Sequence, residues 1–209
     1  MRTAGSNRES TMAAISEAGI DLIFQYGFPS TTLRMVAKKV GMQAGSLYNY
    51  FEDKQSFLYQ IMKRSRQDLL AELDRKLTGN ADPVQALKAF IEVHIEFYTE
   101  RSKEMFIGRM ELRGLTDEQF RDINALRDRY EWQFTSILEN GRRTGDFVVD
   151  DIRLTTYAIL AMLTDISTWY RPRGRMTKGQ LIEYYTNMVF HILRCERPDA
   201  IGGSDNPAD

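Results

Sequence analysis

Apolar residues recur at the spacing of an α-helix along most of the 209-residue chain, and no alternating β-branched run typical of a strand interrupts them. In the first such segment Ile15, Ala18 and Leu22 share one helical face, and the pattern stops at Gly27. Proline, which breaks helices, occurs only five times. The sequence therefore predicts an all-α protein.

Breaks in this periodicity divide the chain into predicted domains. The clearest break is Thr78–Pro83, where Asp82 is placed to cap a helix and Pro83 occupies its first position. Polar, Gly-containing ends without apolar periodicity are expected to be disordered. The predicted parts are a disordered N-terminus (1–7), an N-terminal three-helix domain (8–53), a long connecting helix (54–77), a second helical domain (78–195) and a disordered tail (196–209).

Several classes of protein and site find no support in the sequence. A single cysteine, Cys195, builds neither a disulfide framework nor a Cys-rich zinc site, which favours a reducing cytoplasm. His94 and His191 have no metal-ligand spacing to each other or to Cys195, so both are expected to be packing or surface residues. The chain contains no signal peptide, no apolar run of about 18 residues and no catalytic signature. We therefore expect a cytoplasmic protein without enzymatic activity, cofactor, metal or membrane partner.

Charge is distributed unevenly, although the net charge is only −1. Between Asp21 and Glu52 the chain runs for thirty residues without an acid, and the same residues include Arg34, Lys38 and Lys39. One interpretation is a solvated basic face. The other is a surface that contacts phosphate, which repels carboxylates and attracts Lys and Arg.

The local helix pattern favours the phosphate interpretation. Two short helices, 33–40 and 44–50, are predicted on either side of Gly41, which suits the left-handed position that ends a helix. Ala37 lies four residues before this glycine and is small enough to let the second helix cross closely. This is the spacing of a helix-turn-helix, whose second helix enters the DNA major groove by its N-terminal end.

Residues of the second short helix also suggest contact with DNA. Gly45 weakens the helix by about 1 kcal/mol relative to alanine, so either DNA or another helix is expected to approach it closely. Ser46 beside it is small enough to reach a base edge or a phosphate. Tyr48 and Tyr50 lie at i and i+2 and cannot share one helix face, so at least one of them points outward.

At these residues the segment Ala14–Met62 resembles the TetR family of bacterial transcriptional regulators. Gln43 departs from the pattern, since many members carry Ser or Thr there as a helix cap, and it is a weak candidate for reading a base. The matching residues, in order, are Gly27, Thr31, Thr32, Ala37, Gly41, Gly45, Ser46, Leu47, Tyr48, Tyr50, Phe51 and Lys54. The resemblance implies a homodimeric repressor that binds operator DNA and is released by a small molecule.

The predicted DNA contacts divide into two groups. Gln43, Gly45 and Ser46 are expected near bases, and Arg34 near either a base or a phosphate. Thr32, Tyr48, Tyr50 and Lys54, the last at the positive end of the long helix, are expected near phosphates. The complete set is Thr32, Arg34, Gln43, Ala44, Gly45, Ser46, Tyr48, Asn49, Tyr50 and Lys54.

The second domain resembles the family more loosely. Leu138–Phe147 looks like the Gly-x-x-x-Gly-Asp/Glu-Phe turn common before the penultimate helix. Trp169–Tyr185 is similar to a subgroup that regulates fatty-acid, aromatic-acid and sterol degradation, several members of which answer to acyl-CoA thioesters. This likeness implies an acyl-CoA effector that moves the long helix and changes the separation of the two recognition helices. The alternatives are a drug or another hydrophobic effector and, in a different class, an all-α interaction protein or enzyme without DNA binding.

The last two helices are apolar on all sides. Asp165 is the only charged residue between Thr155 and Tyr170. Such helices are buried on more than one side, so we expect a homodimer in which they form a four-helix bundle with the partner. The predicted interface residues are Tyr157, Leu160, Leu181, Tyr185, Met188, Val189 and Ile192.

Aromatic residues and methionines of the second domain form either ordinary core or an apolar effector cavity. Arg109 is either a snorkelling surface residue or a polar anchor in that cavity. Arg171, with Arg173 and Arg175, forms either a solvated loop or a seat for CoA phosphates. Asp165 either pairs across the dimer, which we favour, or touches the effector. The candidate effector-binding residues are Phe97, Phe106, Arg109, Met110, Tyr130, Phe134, Met162, Asp165, Trp169 and Arg171.

Overall fold

The computed structural model describes residues 4–197, with side chains from Arg8 onward. Within these residues there is no β-strand, and the predicted all-α fold class is confirmed. The α-helices are α1 (Ala4–Tyr26), α2 (Leu33–Lys39), α3 (Ala44–Leu47), α4 (Lys54–Leu77), α5 (Pro83–Glu100), α6 (Ser102–Met110), α7 (Asp117–Thr144), α8 (Ile152–Trp169) and α9 (Lys178–Ile192). A short 3₁₀ turn, Leu112–Gly114, lies between α6 and α7. The long helix predicted over 54–77 matches α4 at both ends.

The described chain forms two compact units that do not follow the predicted linear boundaries. The first unit contains the described residues up to Gln67 together with Lys103–Ala125. The second contains Asp68–Ser102 and the described residues from Leu126 onward. The segment Lys103–Ala125 had been predicted as part of the second domain. It joins the first unit because its side chains pack against residues far away in sequence, which periodicity along the chain does not reveal.

Both chain ends are predicted from the sequence to be disordered. The first helix begins at Ala4, within the predicted segment 1–7, while residues 1–3 lie outside the described residues. At the other end, the Arg197 guanidinium donates from Nη2 to Asp82 Oδ2 at 2.8 Å, and it lies 3.3 Å from Asp146 Oδ1. Residue 197 is therefore held in place, and the rest of the predicted tail, 198–209, lies outside the described residues.

The core of the first unit forms where α1 lies against α4. Ile15, Ala18 and Leu22 are buried as predicted. A Cβ placed on Gly19 would come within 2.1 Å of the Phe57 ring, so only glycine allows these helices to approach so closely. Helix α1 therefore supports α2 from one side, and α2 packs in turn on α3.

The core of the second unit is aromatic. Phe90 of α5 packs against Tyr130 and Phe134 of α7, with ring centroids 5.2 and 4.9 Å apart. His94 is fully buried, stacks on the Tyr98 ring at 4.0 Å and shares a hydrogen bond with the Tyr130 hydroxyl. His94 is thus a packing residue, one of the two roles predicted for it. Helix α5 also packs on α8 and α9.

Two features are absent from residues 4–197. No group of three or more His, Cys, Asp and Glu side chains in that range is placed to hold a metal ion. No helix in that range is both long and apolar enough to cross a membrane.

Candidate functional site

The turn between α2 and α3 has the geometry predicted for a helix-turn-helix. Gly41 has φ +71°, the left-handed conformation that suits glycine. The Gly41 amide donates to the Lys38 carbonyl at 3.3 Å, and the Met42 amide donates to the Ala37 carbonyl at 2.9 Å. This pair of bonds is the Schellman arrangement, and it ends α2 sharply. Ala37 is buried, consistent with the close packing of α2 on α3.

The two threonines before α2 have different roles. Thr31 is buried, and its hydroxyl donates to the Gly27 carbonyl at 2.9 Å, so it fixes the loop between α1 and α2. Thr32 is exposed and caps α2, because its Oγ1 accepts the Met35 amide at 3.2 Å. Only Thr32 of this pair is available to a bound molecule.

The N-terminal end of α3 is open. Gln43 occupies the N-cap position, is exposed and makes no side-chain capping hydrogen bond, as expected of a glutamine. Gly45 is exposed, and a Cβ placed there would meet no atom of the described chain within 4 Å. Close approach of another helix of this chain therefore does not explain the glycine. Ala44 and Ser46 beside it are half-buried.

Beyond the open end, α3 is shorter than predicted. It ends at Leu47 rather than at residue 50, and the next residues form turns in which the Tyr50 amide donates to the Leu47 carbonyl at 2.9 Å. Leu47 and Phe51 are buried, while Tyr48 is 61% exposed. One tyrosine points outward, as predicted. Asn49 is exposed as well, and Tyr50 is half-buried.

Arg8 is a candidate contact that the sequence reasoning missed. Its guanidinium carbon lies 5.7 Å from the centroid of the Tyr50 ring, so it is a basic side chain close to the predicted DNA-contacting residues. Arg8 lies only one residue beyond a segment predicted to be disordered. Continuing the helical spacing of Ile15 and Ala18 toward the N-terminus would have placed Arg8 on α1.

The basic residues of the acid-free stretch separate into two kinds. Lys39 pairs with Asp21 at 2.8 Å, and Lys103 pairs with the same carboxylate at 2.6 Å. Hydrogen bonds from Lys103 and then Lys39 lower the pKa of Asp21. Lys39 therefore stabilises the unit and is not one of the open cations. Arg34 and Lys38 are exposed, and neither forms an ion pair within the described residues.

Lys54 is partly used inside the unit. Its ammonium donates to the Pro29 carbonyl at 3.0 Å and lies 4.3 Å from the centroid of the Phe28 ring. Burial lowers the pKa of Lys54, and the neighbouring Glu111 carboxylate partly offsets this effect. Lys54 thus holds the loop between α1 and α2, and contact with phosphate would be a second role for its remaining N–H groups.

Helices α8 and α9 present large apolar side chains to the surface of the second unit. The residues more than two-fifths exposed are Leu154, Tyr157 and Trp169 on α8 and Tyr184, Met188 and Ile192 on α9. Among the predicted interface residues, Tyr157, Met188 and Ile192 belong to this set, and Leu160 and Tyr185 are half-buried.

Two predicted interface residues do not reach the surface. Leu181 and Val189 are both fully buried within their own unit. Since α5 packs on α9, one side of α9 is occupied internally. The sequence shows that α9 is apolar on all sides but not which side faces inward, so the assignment of these two residues to an interface with another subunit was wrong.

The ten candidate effector-binding residues are divided between the two units. Phe106, Arg109 and Met110 belong to the first unit and are exposed on α6, where the Phe106 ring packs edge-on against Phe24 with centroids 5.2 Å apart. The other seven residues belong to the second unit. Tyr130 and Phe134 are buried there, Phe97 and Met162 are half-buried, and Asp165, Trp169 and Arg171 are exposed.

The arginine-rich loop after α8 is exposed. Arg171 donates from Nη1 to the Tyr170 carbonyl at 2.9 Å and to the Thr168 carbonyl at 3.3 Å. These bonds place a positive charge at the C-terminal end of α8, where the helix dipole favours it. Arg173 and Arg175 are also exposed.

Comparison with known proteins assigns the family. Residues 15–61 match the model of bacterial regulatory proteins of the tetR family, and residues 80–193 match the model of the tetracyclin repressor-like C-terminal domain. The chain is 24% identical to the HTH-type transcriptional repressor KstR2 of Rhodococcus jostii, over 90% of this chain and 93% of that protein.

Two further proteins are similar to this chain. The fatty acid metabolism regulator protein of Bacillus subtilis is 22% identical, over 74% of this chain and 81% of that protein. AibR, whose crystal structure is in complex with isovaleryl coenzyme A and operator DNA, is 25% identical in sequence to this chain. The two structures superpose with a TM-score of 0.78, over 88% of this chain and 98% of AibR. The two family models together span most of the described residues. The chain therefore belongs to the TetR family of bacterial regulatory proteins.

Proposed function

We propose that this ligand-responsive TetR-type repressor reads operator DNA with the open end of α3 and is released from it by an acyl-CoA thioester. The proposal that α3 reads DNA rests on the space around Gly45, where a Cβ would meet no atom of the described chain within 4 Å. A glycine that weakens a helix and that no neighbouring helix requires is explained by close approach of the helix to another molecule.

The proposed contacts follow the exposure of the side chains. Gln43, Gly45 and Ser46 at the N-terminal end of α3 address base edges, where small side chains and backbone come closest to the groove. Thr32, Tyr48, Tyr50 and Lys54, with Arg8 added, address the phosphates, and Arg34 addresses either a base or a phosphate. Phosphate contacts fix the register of the protein on the duplex, and base contacts supply the sequence preference.

Dimerisation supplies the second recognition helix. The exposed apolar side chains of α8 and α9 support a partner interface through these helices, with Met188 and Ile192 on one stripe of α9. A two-fold dimer would address half-sites about one helical turn apart, roughly 34–36 Å, or a multiple of that distance. Effector binding that moves α4 would change the separation.

The acyl-CoA assignment rests on similarity and on the composition of the second unit. AibR is described in complex with isovaleryl coenzyme A, and this chain is 25% identical to it. The second unit combines aromatic side chains suited to an acyl group with an exposed arginine loop suited to phosphate. Arg171 to Arg175 would then bind the CoA phosphates.

A release experiment tests the effector. A labelled duplex from upstream of the gene is bound to the protein, and isovaleryl-CoA, longer acyl-CoAs and a steroid-derived acyl-CoA are added in turn. The matched controls are coenzyme A and the free acids. An effector should lower the anisotropy and raise the thermal midpoint, since a ligand at 100 times its Kd adds about 2.7 kcal/mol of stability. Release by a free acid or a drug, with no response to any thioester, would contradict the acyl-CoA assignment but not DNA binding.

A further inference from the structure

Phe28, in the loop between α1 and α2, is surrounded by residues of α4 and of the segment Lys103–Ala125. The Phe28 amide donates to Glu111 Oε1 at 3.0 Å. A Cβ placed on Gly114 would come within 2.8 Å of the Phe28 ring and 2.8 Å of Leu58, so the absence of a side chain at Gly114 makes room for the ring. The Lys54 ammonium lies 4.3 Å from the centroid of the same ring. We call Phe28, Leu58, Lys54, Glu111 and Gly114 the Phe28 socket.

The socket lies next to the elements that present DNA contacts. Phe28 is four residues before Thr32, the N-cap of α2. The same loop is fixed by the Thr31 hydroxyl, which donates to the Gly27 carbonyl at 2.9 Å, and by the Lys54 ammonium on the Pro29 carbonyl. A displacement of Phe28 therefore shifts the start of α2, and α3 follows because it packs on α2.

A second contact joins the same segment to α1 and, through the shared Asp21 carboxylate, indirectly to the end of α2. The Asp21 carboxylate of α1 binds Lys39 at the end of α2 and Lys103 at the start of the segment, at 2.8 and 2.6 Å. The contacts farther along the segment reach α4 instead. Gln55 Nε2 donates to the Gly114 carbonyl at 2.9 Å, and Lys63 pairs with Asp122 at 2.8 Å. The segment is thus fastened both to the helix-turn-helix and to its supporting helix.

We propose that the Phe28 socket sets the position of α2 and α3 for operator binding. Glu111 and Gly114 are positioning residues, because neither needs to touch DNA. The inference rests on the proposed operator binding.

Two variants disrupt the socket in different ways. Glu111→Ala removes the acceptor of the Phe28 amide, and Gly114→Ala places a methyl group where the ring lies. We expect operator affinity to fall roughly fivefold in the first and about tenfold or more in the second, since one lost charge-assisted hydrogen bond or one steric displacement is of that order. Glu111→Gln keeps an oxygen acceptor and should recover most of the affinity, which a merely structural loss would not predict.

Matched controls come from the same segment. Glu118→Ala removes an exposed carboxylate from the first turn of α7. Gly108→Ala adds a methyl group whose nearest neighbour, Arg66 Nη2, is 3.8 Å away, an ordinary van der Waals distance. Both should bind the operator like the wild type. Circular dichroism and sedimentation velocity verify that every variant is a folded dimer.

The outcomes separate this inference from the proposed function. Fluorescence anisotropy gives the affinity of each variant for the upstream duplex and for a shuffled duplex. The inference predicts that Glu111→Ala and Gly114→Ala bind the upstream duplex roughly fivefold and tenfold more weakly, while their weak binding to the shuffled duplex is unchanged. Wild-type operator affinity in both Glu111→Ala and Gly114→Ala would contradict the role of the Phe28 socket. An equal loss of operator affinity in Glu111→Gln and Glu111→Ala would contradict it as well. A wild-type protein that does not distinguish the two duplexes overturns operator binding itself.

Discussion

The open end of α3 and the outer faces of α8 and α9 leave opposite kinds of residue at the surface. Around α3 the exposed positions are small or polar, as in Gly45 and Gln43, and no atom of residues 4–197 lies within 4 Å of a Cβ placed at Gly45. On α8 and α9 the exposed positions are large and apolar, as in Leu154 and Met188. The first surface suits a hydrated, charged partner such as DNA, and the second suits burial against another protein surface. The two surfaces therefore respond to different substitutions.

The largest expected effect concerns the apolar surface. Met188→Glu combined with Ile192→Glu places two charges on the exposed stripe of α9 and should give a folded monomer in sedimentation velocity. Operator affinity should fall by about 100-fold or more, because one half-site replaces two. Val189→Glu is the contrasting variant: its side chain is fully buried, and an unpaired buried charge is expected to unfold the chain. A folded dimer in the double variant would contradict this interface.

The next effect concerns the open end of α3. Gly45→Leu should raise the thermal midpoint, since leucine is a better helix former than glycine and no described atom lies within 4 Å of the new Cβ. Operator affinity should nevertheless fall by about tenfold or more, because the side chain occupies the space that DNA would fill. Anisotropy and thermal denaturation measured on one preparation separate the two effects. A stable variant with wild-type affinity would show that DNA does not approach Gly45.

A smaller effect tests the division between base and phosphate contacts. Tyr48→Phe removes one exposed hydroxyl and should weaken binding by roughly threefold to tenfold, the range of a single hydrogen bond. The loss should be uniform across single-base variants of the operator, as expected of a phosphate contact. If the loss depends on one base position, Tyr48 reads sequence and the division is wrong.

Arg8 provides a prediction of similar size. Arg8→Ala should lower operator affinity a few-fold and reduce the slope of log affinity against log salt by about 1, the value for one phosphate contact. Arg127→Ala, an exposed residue of the second unit, serves as the control and should leave the slope unchanged. An unchanged slope in Arg8→Ala would show that Arg8 does not contact a phosphate and only packs on Tyr50.

The smallest effect is a pH dependence of stability. The Lys103 and Lys39 ammonium groups hold the pKa of Asp21 below its ordinary value of 3.8. Because the pKa is lowered in the folded state, the ionised carboxylate stabilises the fold at pH values above 3.8. This contribution is lost as the pH falls below 3.8 and through the lowered pKa. Urea denaturation from pH 6 to pH 3 should therefore show a smaller loss of stability in Asp21→Asn than in the wild type. The two losses of unfolding free energy should differ by about 0.2–1 kcal/mol, as expected for such partly exposed ion pairs. Identical pH dependences in the two proteins would show that Asp21 does not stabilise the fold in this way.

The two regions also differ in how much of their structure can be predicted from the sequence. The helix-turn-helix depends on contacts between residues close in sequence, such as Gly41 with Lys38, so its turn, buried Leu47 and outward Tyr48 could be predicted. The inward side of α9 depends on α5, nearly a hundred residues earlier, and Val189 was therefore misplaced.

The packing of the segment Lys103–Ala125 with the first unit could not be predicted, for the same reason. Its contacts with Asp21, Phe28 and Gln55 join residues separated by 59 to 83 positions. Helical periodicity identifies the apolar residues of each helix but contains no information about which helix they meet. The candidate effector-binding set shows the consequence, since it combines residues of α6 with residues of the second unit.

The most direct test of the account is the affinity of the wild-type dimer and of Gly45→Leu for two duplexes, the upstream region and a shuffled sequence of the same composition. We expect the wild type to bind the upstream duplex about 1,000-fold or more tightly than the shuffled one at physiological salt. Gly45→Leu should remain dimeric and lose most of that preference. Equal affinity of the wild type for the two duplexes would contradict sequence-specific DNA reading by α3.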